Sequence, residues 1–146
     1  MTPMDDTSIP TGEIVPVAGT PFDFLDENTI GARIKDITCP SAGGGYDHNL
    51  CVKADGWGKL SHVATCTGVS GRRLTLLANA PGVQFYTGNF LGGLAGKAGA
   101  TYNKHDAFCL ETQYYPDAIN QPQFPTCLLS PGEVYTHNML CKFDTA

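Results

Sequence analysis

The sequence predicts an all-β protein, an antiparallel β-sandwich, and three observations support this prediction. Apolar runs rich in β-branched and aromatic residues recur about eight times, at spacings of roughly 8–15 residues, which is typical of sandwich strands. Glycine and proline are abundant, with 17 and 10 copies, and they favour turns over long helices. Charged residues make up only 16% of the chain, which indicates a globular protein. We expect a single domain over residues 1–146.

Four strands are predicted in the first half of the chain. In each, apolar side chains alternate with polar ones or follow one another without a break. A helical turn is expected between the first two strands, with Thr29 as its candidate capping residue. Ser70 and Gly71 are predicted to form the turn of a hairpin between the last two strands. The four runs are residues 12–17, 46–53, 59–68 and 72–80.

Four further strands are predicted in the second half. The first is rich in aromatic residues and is followed by a glycine-rich loop at residues 92–100. A loop rich in proline and amides separates the second strand from the third, and a turn at residues 131–133 precedes the last. The four runs are residues 82–91, 107–115, 127–130 and 134–143.

Charge and hydropathy exclude several classes of partner. The net charge is −5 and no basic cluster is present, so neither a nucleic acid nor an anionic membrane is an expected partner. No apolar run approaches the ~18 residues of a membrane span, and the first residues lack a secretory pattern. The six cysteines form no C-x-x-C pair, which favours reduced, buried thiols in a cytoplasmic protein over a disulfide framework.

Two carboxylates are candidates for acid–base chemistry. Glu111 ends the apolar run 107–110, which predicts a buried strand and a partly desolvated carboxylate. The alternative is a rim residue paired with Lys or Arg. Asp47 lies within a predicted strand directly after three glycines, and strands disfavour Asp unless it has a partner or a function. The alternative for Asp47 is a carboxylate that caps a turn.

Aromatic and amide side chains accompany both carboxylates. Such side chains line sugar sites, because flat apolar faces contact C–H patches while amides and carboxylates bind hydroxyls. The pattern indicates a polyhydroxylated ligand in a groove of the sandwich. The residues are Tyr46, Asn49, Gln84, Phe85, Tyr86, Asn89, Gln113, Tyr114 and Tyr115.

The histidines and cysteines do not predict a metal site. His62 and Cys66 are four residues apart, which on a strand separates them by roughly 13 Å, too far to share a zinc ion. His48 follows Asp47, and side chains alternate along a strand, so His48 is expected to turn away from whatever Asp47 contacts. His137 is expected to make a cross-strand contact.

Long segments of the chain resemble the C-terminal part of the aldose 1-epimerases, the galactose mutarotases. The resemblance runs from about residue 9 to residue 143, in the same order as in the family. It is carried by "IPTGEIVPVAGTPFDF", "GGGYDHNLCV", "PGVQFYTGNFL" and "FCLETQYYPDAINQPQFPTCLLSPGEVYTHNMLCKF".

The resemblance implies a function and three site residues. The family is made of large antiparallel β-sandwiches that interconvert the α and β anomers of hexoses such as galactose and glucose, without a metal or organic cofactor. A glutamate removes the proton of the C1 hydroxyl while a histidine protonates the ring oxygen. The glutamate of "LETQ" matches Glu111, the candidate general base. The aspartate of "DHN" and the glutamine of "PGVQ" match Asp47 and Gln84, the expected sugar contacts.

The family's acid histidine lies in its N-terminal half and matches none of the four histidines here, including His48 and His105. The chain is therefore expected to form an incomplete part of the sandwich. Two hypotheses follow: part of an aldose 1-epimerase, or a non-catalytic carbohydrate-binding or structural module. In either case the expected partners are a hexose and, through unpaired sheet edges, a second copy of the chain or a missing N-terminal half.

Overall fold

The computed structural model describes residues 1–53 and 59–146, and strands dominate these residues. The eight strands are β1 (Asp47–Cys51), β2 (Ser61–Thr67), β3 (Arg72–Ala78), β4 (Gly82–Tyr86), β5 (Leu94–Ala95), β6 (Thr101–Tyr102), β7 (Cys109–Gln113) and β8 (Met139–Thr145). The helices in the described ranges are five 3₁₀ turns of three residues each: Ile30–Ala32, Ile34–Asp36, Pro40–Ala42, Lys97–Gly99 and Ala118–Asn120. The predicted all-β class is confirmed. None of these helices has the length or apolar character needed to cross a bilayer.

The described strands form three sheets. One has the order β1-β4-β7, a second has the order β2-β3-β8, and β5 pairs with β6. The pairing is antiparallel in the second sheet and between β5 and β6. β2 and β3 form the predicted hairpin: the Gly68 amide donates to the Arg72 carbonyl over 2.8 Å. Gly71 has a φ of +78°, which favours glycine at this position of the turn.

The chain divides into two compact units by its contacts. The first unit comprises Met1–Leu50 and Gln84–Glu111, and the second comprises Cys51–Val83 and Thr112–Ala146. The expectation of a single domain stays a prediction.

The core of the first unit is aromatic. The Tyr46 ring is fully buried and stacks on Phe85 with ring centroids 4.8 Å apart. Phe24 meets both rings edge-on, and Ile37 completes the buried cluster. The Tyr46 hydroxyl donates to the Pro21 carbonyl over 2.9 Å, so the one polar atom of this ring has a partner.

The second unit has a smaller core and an open edge. Tyr115, Ala118 and Phe124 form its buried cluster. β8 ends the described strand order β2-β3-β8, and six of its seven residues are exposed. Arg73 of β3 lies opposite Asp144 of β8 and donates to it from Nε over 2.7 Å.

Some strand predictions are wrong. Residues 12–17 and 127–130 form no strand, and the last strand begins only at Met139. Pro16 lies within the first segment, and Pro125 and Pro131 flank the second, so ladder donors are missing where a strand would need them. The short strand β5 lies within the loop predicted at residues 92–100, and its partner β6 follows that loop directly. Thr29 does precede a helical turn, although its side chain makes no capping bond.

Candidate functional site

The three predicted site residues lie on three neighbouring strands of one sheet. Asp47 begins β1, Gln84 is in β4 and Glu111 is in β7. In the order β1-β4-β7, the strand that carries Gln84 is the central one. Adjacent strands are about 4.8 Å apart, so the backbones that carry the two carboxylates are roughly 10 Å apart.

Packing assigns all three side chains to the same face. Leu50, Phe85 and Leu110 all belong to the aromatic core of the first unit. Successive side chains of a strand point to opposite faces, so Gln84 and Glu111, next to Phe85 and Leu110, project from the face away from this core. Asp47 is three positions from Leu50 and therefore shares that face.

Asp47 and Gln84 are in direct contact. Gln84 Nε2 donates to Asp47 Oδ1 over 2.8 Å, and both residues are half-buried. The bond joins the first two strands of the sheet at the start of β1. A carboxylate and an amide held side by side present acceptors and donors to a ligand with several hydroxyl groups.

His48 is turned away from this pair, as the alternation predicts. Its ring is only 4% exposed and lies edge-on to Phe22, with centroids 4.6 Å apart. The Asp47 backbone amide donates to His48 Nδ1 over 3.0 Å, which requires that nitrogen to be unprotonated. Burial lowers the pKa of His48 to about 4, and the opposing influence of the Asp47 carboxylate is smaller. His48 is therefore a neutral, buried ring near neutral pH.

Glu111 is exposed, and the expectation of partial burial is wrong. The run before it is exposed as well at Ala107, Phe108 and Cys109, although Leu110 packs against the core and the Phe108 ring meets Phe85 edge-on. The physical reason is orientation combined with position: Glu111 projects from the face away from the aromatic core, and β7 ends the described strand order β1-β4-β7.

Two polar residues beneath the site have a larger role than the sequence indicated. Thr87 and Asn89 are 2% and 5% exposed, and both bond to the backbone that leads into Asp47. Asn89 is one of four amides in the sequence pattern of aromatic and amide side chains, and Thr87 does not belong to that pattern. The available signal was the abrupt change from the apolar strand residues of β4 to the polar "TGN" that follows it.

The other histidines also have local partners. His105 Nε2 lies 3.2 Å from Asn89 Oδ1, and His62 Nε2 lies 2.9 Å from Thr65 Oγ1. His137 bonds to Thr112 Oγ1 over 2.9 Å. Over residues 1–53 and 59–146, no group of three or more His, Cys, Asp or Glu side chains is arranged to hold a metal ion.

The six cysteines are free thiols, as predicted, but they are not uniformly buried. Cys39, Cys51 and Cys66 are half-buried, whereas Cys109, Cys127 and Cys141 are exposed. The last three lie in the run before Glu111, in the segment after Pro125 and in the open strand β8, which accounts for their exposure.

Comparison with known proteins gives consistent matches. The family model for aldose 1-epimerase matches residues 1–142. Galactose mutarotase of Homo sapiens is 49% identical over 147 residues, which covers 99% of this chain and 41% of the relative. Aldose 1-epimerase of Escherichia coli (strain K12) is 34% identical over 136 residues, covering 92% of this chain and 39% of the relative. The chain thus spans about two-fifths of the length of these relatives.

Solved structures agree with the sequence matches. The GalM/aldose epimerase homologue from C. elegans superposes with a TM-score of 0.81 at 28% identity, covering 99% of this chain and 42% of that one. Galactose 1-epimerase from Lactobacillus acidophilus NCFM gives a TM-score of 0.72 at 25% identity, with 99% and 41% covered. The predicted fold is confirmed by these superpositions.

Proposed function

The chain belongs to the aldose 1-epimerase family, and we propose that it supplies the general base and part of the sugar cleft for the interconversion of hexose anomers. The substrate is a hexose such as galactose or glucose. Glu111 is the base, and Asp47 and Gln84 hold sugar hydroxyls.

The observation that carries the proposal is the shared face of the three strands. Asp47 and Gln84 are bonded to each other over 2.8 Å, and Glu111 projects from the same face on the strand beyond Gln84. A ring placed across this face meets a carboxylate and an amide at one side and a second carboxylate at the other. Roughly 10 Å between the outer strands gives the ring room to lie between the carboxylates.

The chemistry requires one base and one acid. Glu111 accepts the proton of the C1 hydroxyl, the C1–ring oxygen bond breaks, and the ring oxygen takes a proton from the acid. Rotation about C1–C2 and closure on the other face of the carbonyl give the other anomer. A sugar over this face also displaces water from Glu111, which strengthens a carboxylate as a base.

The acid comes from outside these 146 residues in this proposal. His48 is buried and neutral, because its pKa is lowered to about 4, so it lacks the acidic imidazolium proton that a general acid donates near neutral pH. His105 is bonded to Asn89 through Nε2. Neither histidine matches the acid of the family.

The test is polarimetric mutarotation of α-D-galactose. The chain is assayed alone and joined to the remaining part of a galactose mutarotase, with and without Glu111→Gln. We expect the joined protein to be active and Glu111→Gln to lower its rate by roughly 10²–10⁴-fold, the usual contribution of a general base. Because Glu111 is exposed, the substitution leaves the unfolding temperature unchanged. A joined protein whose rate is insensitive to Glu111→Gln contradicts the assignment.

A second candidate function is sugar binding without catalysis. The exposure of Glu111 favours it, because this chain leaves the carboxylate open to water, whereas a catalytic site excludes water from the reacting groups. Titration calorimetry with D-galactose separates the two: binding by the chain without any rate increase supports the binding module. A folded chain that binds no galactose excludes it.

We also propose that the open edge of the second unit associates with other strands. Met139 and Phe143 of β8 are 56% and 76% exposed, and open strand edges with apolar side chains are prone to pair with further strands. The partner is a second copy or the remaining part of the family fold. Size-exclusion chromatography with light scattering tests the association with a second copy. A monomeric mass at every protein concentration measured excludes self-association.

A further inference from the structure

The peptide group between Tyr46 and Asp47 is held at both ends. Its carbonyl oxygen accepts a bond from Asn89 Nδ2 at 2.8 Å and another from the Thr87 amide at 3.1 Å. Its N–H donates to His48 Nδ1 at 3.0 Å. The plane of this peptide sets the φ angle of Asp47, and with it the direction of the Asp47 side chain. The groups that hold the peptide therefore orient the carboxylate.

Asn89 has all its hydrogen-bonding capacity in use. Its Nδ2 donates to the carbonyls of Ala42 and Tyr46 over 2.6 and 2.8 Å. Its Oδ1 accepts from Thr87 Oγ1 over 2.7 Å and lies 3.2 Å from His105 Nε2. An amide has two donors and two lone pairs, so a flipped amide would set its oxygen against two carbonyls. At 5% exposure, water cannot replace a lost partner without cost.

Thr87 completes the arrangement from the other side. Its hydroxyl accepts the Tyr46 amide at 3.0 Å and donates to Asn89 Oδ1. Asn89 and Thr87 thus hydrogen-bond to three backbone atoms of the segment from Ala42 to Tyr46: the Ala42 carbonyl oxygen, the Tyr46 carbonyl oxygen and the Tyr46 amide nitrogen. We call these two side chains and that segment the clamp.

The glycines that precede Asp47 fit the clamp. Gly43 and Gly44 have φ angles of +68° and +77°, which disfavour other residues. Gly45 has no positive φ, but a Cβ there would overlap Asn89 Oδ1 and lie 2.7 Å from Thr87 Oγ1. The glycine at 45 is therefore required by the two side chains.

We propose that Asn89 is a positioning residue for the sugar contacts, acting through the clamp on Asp47 and thereby on the Asp47–Gln84 bond. This inference rests on the proposed function, because it assigns a purpose to the orientation of that pair. The contacts of Asn89 with this segment are to the backbone before Asp47, at the carbonyls of Ala42 and Tyr46. Asn89 determines where the Asp47 carboxylate lies when a hydroxyl arrives.

The experiment follows the Gln84 side-chain amide by NMR in the ¹⁵N-labelled 146-residue chain, with the signal assigned by its loss in Gln84→Glu. The variants are Asn89→Asp, which keeps the acceptor but removes both donors, and Thr87→Val, with Thr87→Ser as the conservative rescue. Phe124→Leu in the core of the second unit is the matched control for destabilisation, since it touches no part of the clamp. D-galactose is titrated into each variant.

We expect Asn89→Asp and Thr87→Val to shift the Gln84 amide signals, and to weaken galactose binding about tenfold or more, which corresponds to one buried hydrogen bond of about 1.4 kcal/mol. Thr87→Ser restores the signal, and Phe124→Leu leaves it in place while lowering the unfolding temperature. A Gln84 signal unmoved in folded Asn89→Asp and Thr87→Val overturns the proposal. If neither variant folds, Asn89 is a folding determinant, and the proposal is equally overturned.

The two proposals fail in different ways. If the rate of the joined protein does not respond to Glu111→Gln, the proposed function is wrong, while the Gln84 signal still reports whether Asn89 orients the pair. If galactose binds and the Gln84 signal does not respond to the clamp, the positioning role alone is wrong.

Discussion

Phe85 and Phe143 are both phenylalanines on strands, yet Phe85 in the first unit is 5% exposed and Phe143 in the second is 76% exposed. Phe85 is packed by Tyr46, Phe24 and the strands beside it, whereas Phe143 lies on an open strand. The first unit thus uses its aromatic residues to support the face that carries Asp47, Gln84 and Glu111. The second unit leaves apolar side chains available for contact. The buried aromatic core of the first unit thus lies on the opposite face of the sheet that carries the candidate site.

Replacing each of the two phenylalanines by alanine tests the difference in their burial and should give the largest difference in stability. Phe85→Ala should lower the free energy of unfolding by about 3–5 kcal/mol, because it opens a cavity among buried rings. Phe143→Ala should change it by no more than about 0.5 kcal/mol, because the ring is already in water. Urea unfolding followed by circular dichroism measures both. Equal losses of unfolding free energy in the two variants would contradict the difference between Phe85 and Phe143, and would indicate that Phe143 is covered in solution.

His48, in the first unit, gives the next largest effect, which is a dependence of the free energy of unfolding on pH. The folded pKa of about 4 is below the ordinary 6.5, so unfolding takes up a proton between these values. The contribution of the buried ring to stability is complete above pH 6.5, falls as the pH falls, and is lost below about pH 4. The loss is about 3 kcal/mol at most.

The check is the free energy of unfolding of the native chain minus that of His48→Gln, measured at several pH values. Glutamine keeps an acceptor for the Asp47 amide but does not titrate in this range. We expect the difference to decline toward low pH. A difference that is independent of pH would show that His48 is accessible to protons in the folded state.

The ion pair between Arg73 and Asp144, in the second unit, should make the smallest contribution to stability. Bonds from Arg73 and Lys142 lower the pKa of Asp144, so this carboxylate stabilises the fold above its ordinary range and the stabilisation is lost on acidification. The residues are partly exposed, so Arg73→Gln should lower the unfolding temperature only slightly. The decrease should vanish in 1 M salt, where charges are screened. A decrease that persists at high salt would indicate packing by the arginine stem instead.

Much of the fold could be predicted from the sequence, because strands are encoded by local alternation and turns by glycine. Ser61–Thr67 and Arg72–Ala78 illustrate this, since the alternating runs and Ser70-Gly71 between them predicted the hairpin. The runs at 12–17 and 127–130 failed because local apolar character does not reveal whether a pairing partner is present. For Glu111, the apolar run indicated a strand correctly, but burial depends on what covers that strand.

By itself, the sequence determined the all-β class and the family, because these depend on local periodicity and on motifs contiguous in the chain. The same motifs predicted Asp47, Gln84 and Glu111 as site residues. Only the tertiary structure decided that the side chain of Gln84 bonds to Asp47, 37 positions away in the sequence. It likewise decided that the Asn89 side chain bonds to the carbonyl of Tyr46, 43 positions away. It also decided that Glu111 is exposed. Such contacts depend on which strands become neighbours, and strand order follows from the packing of the whole sheet, which no single segment encodes.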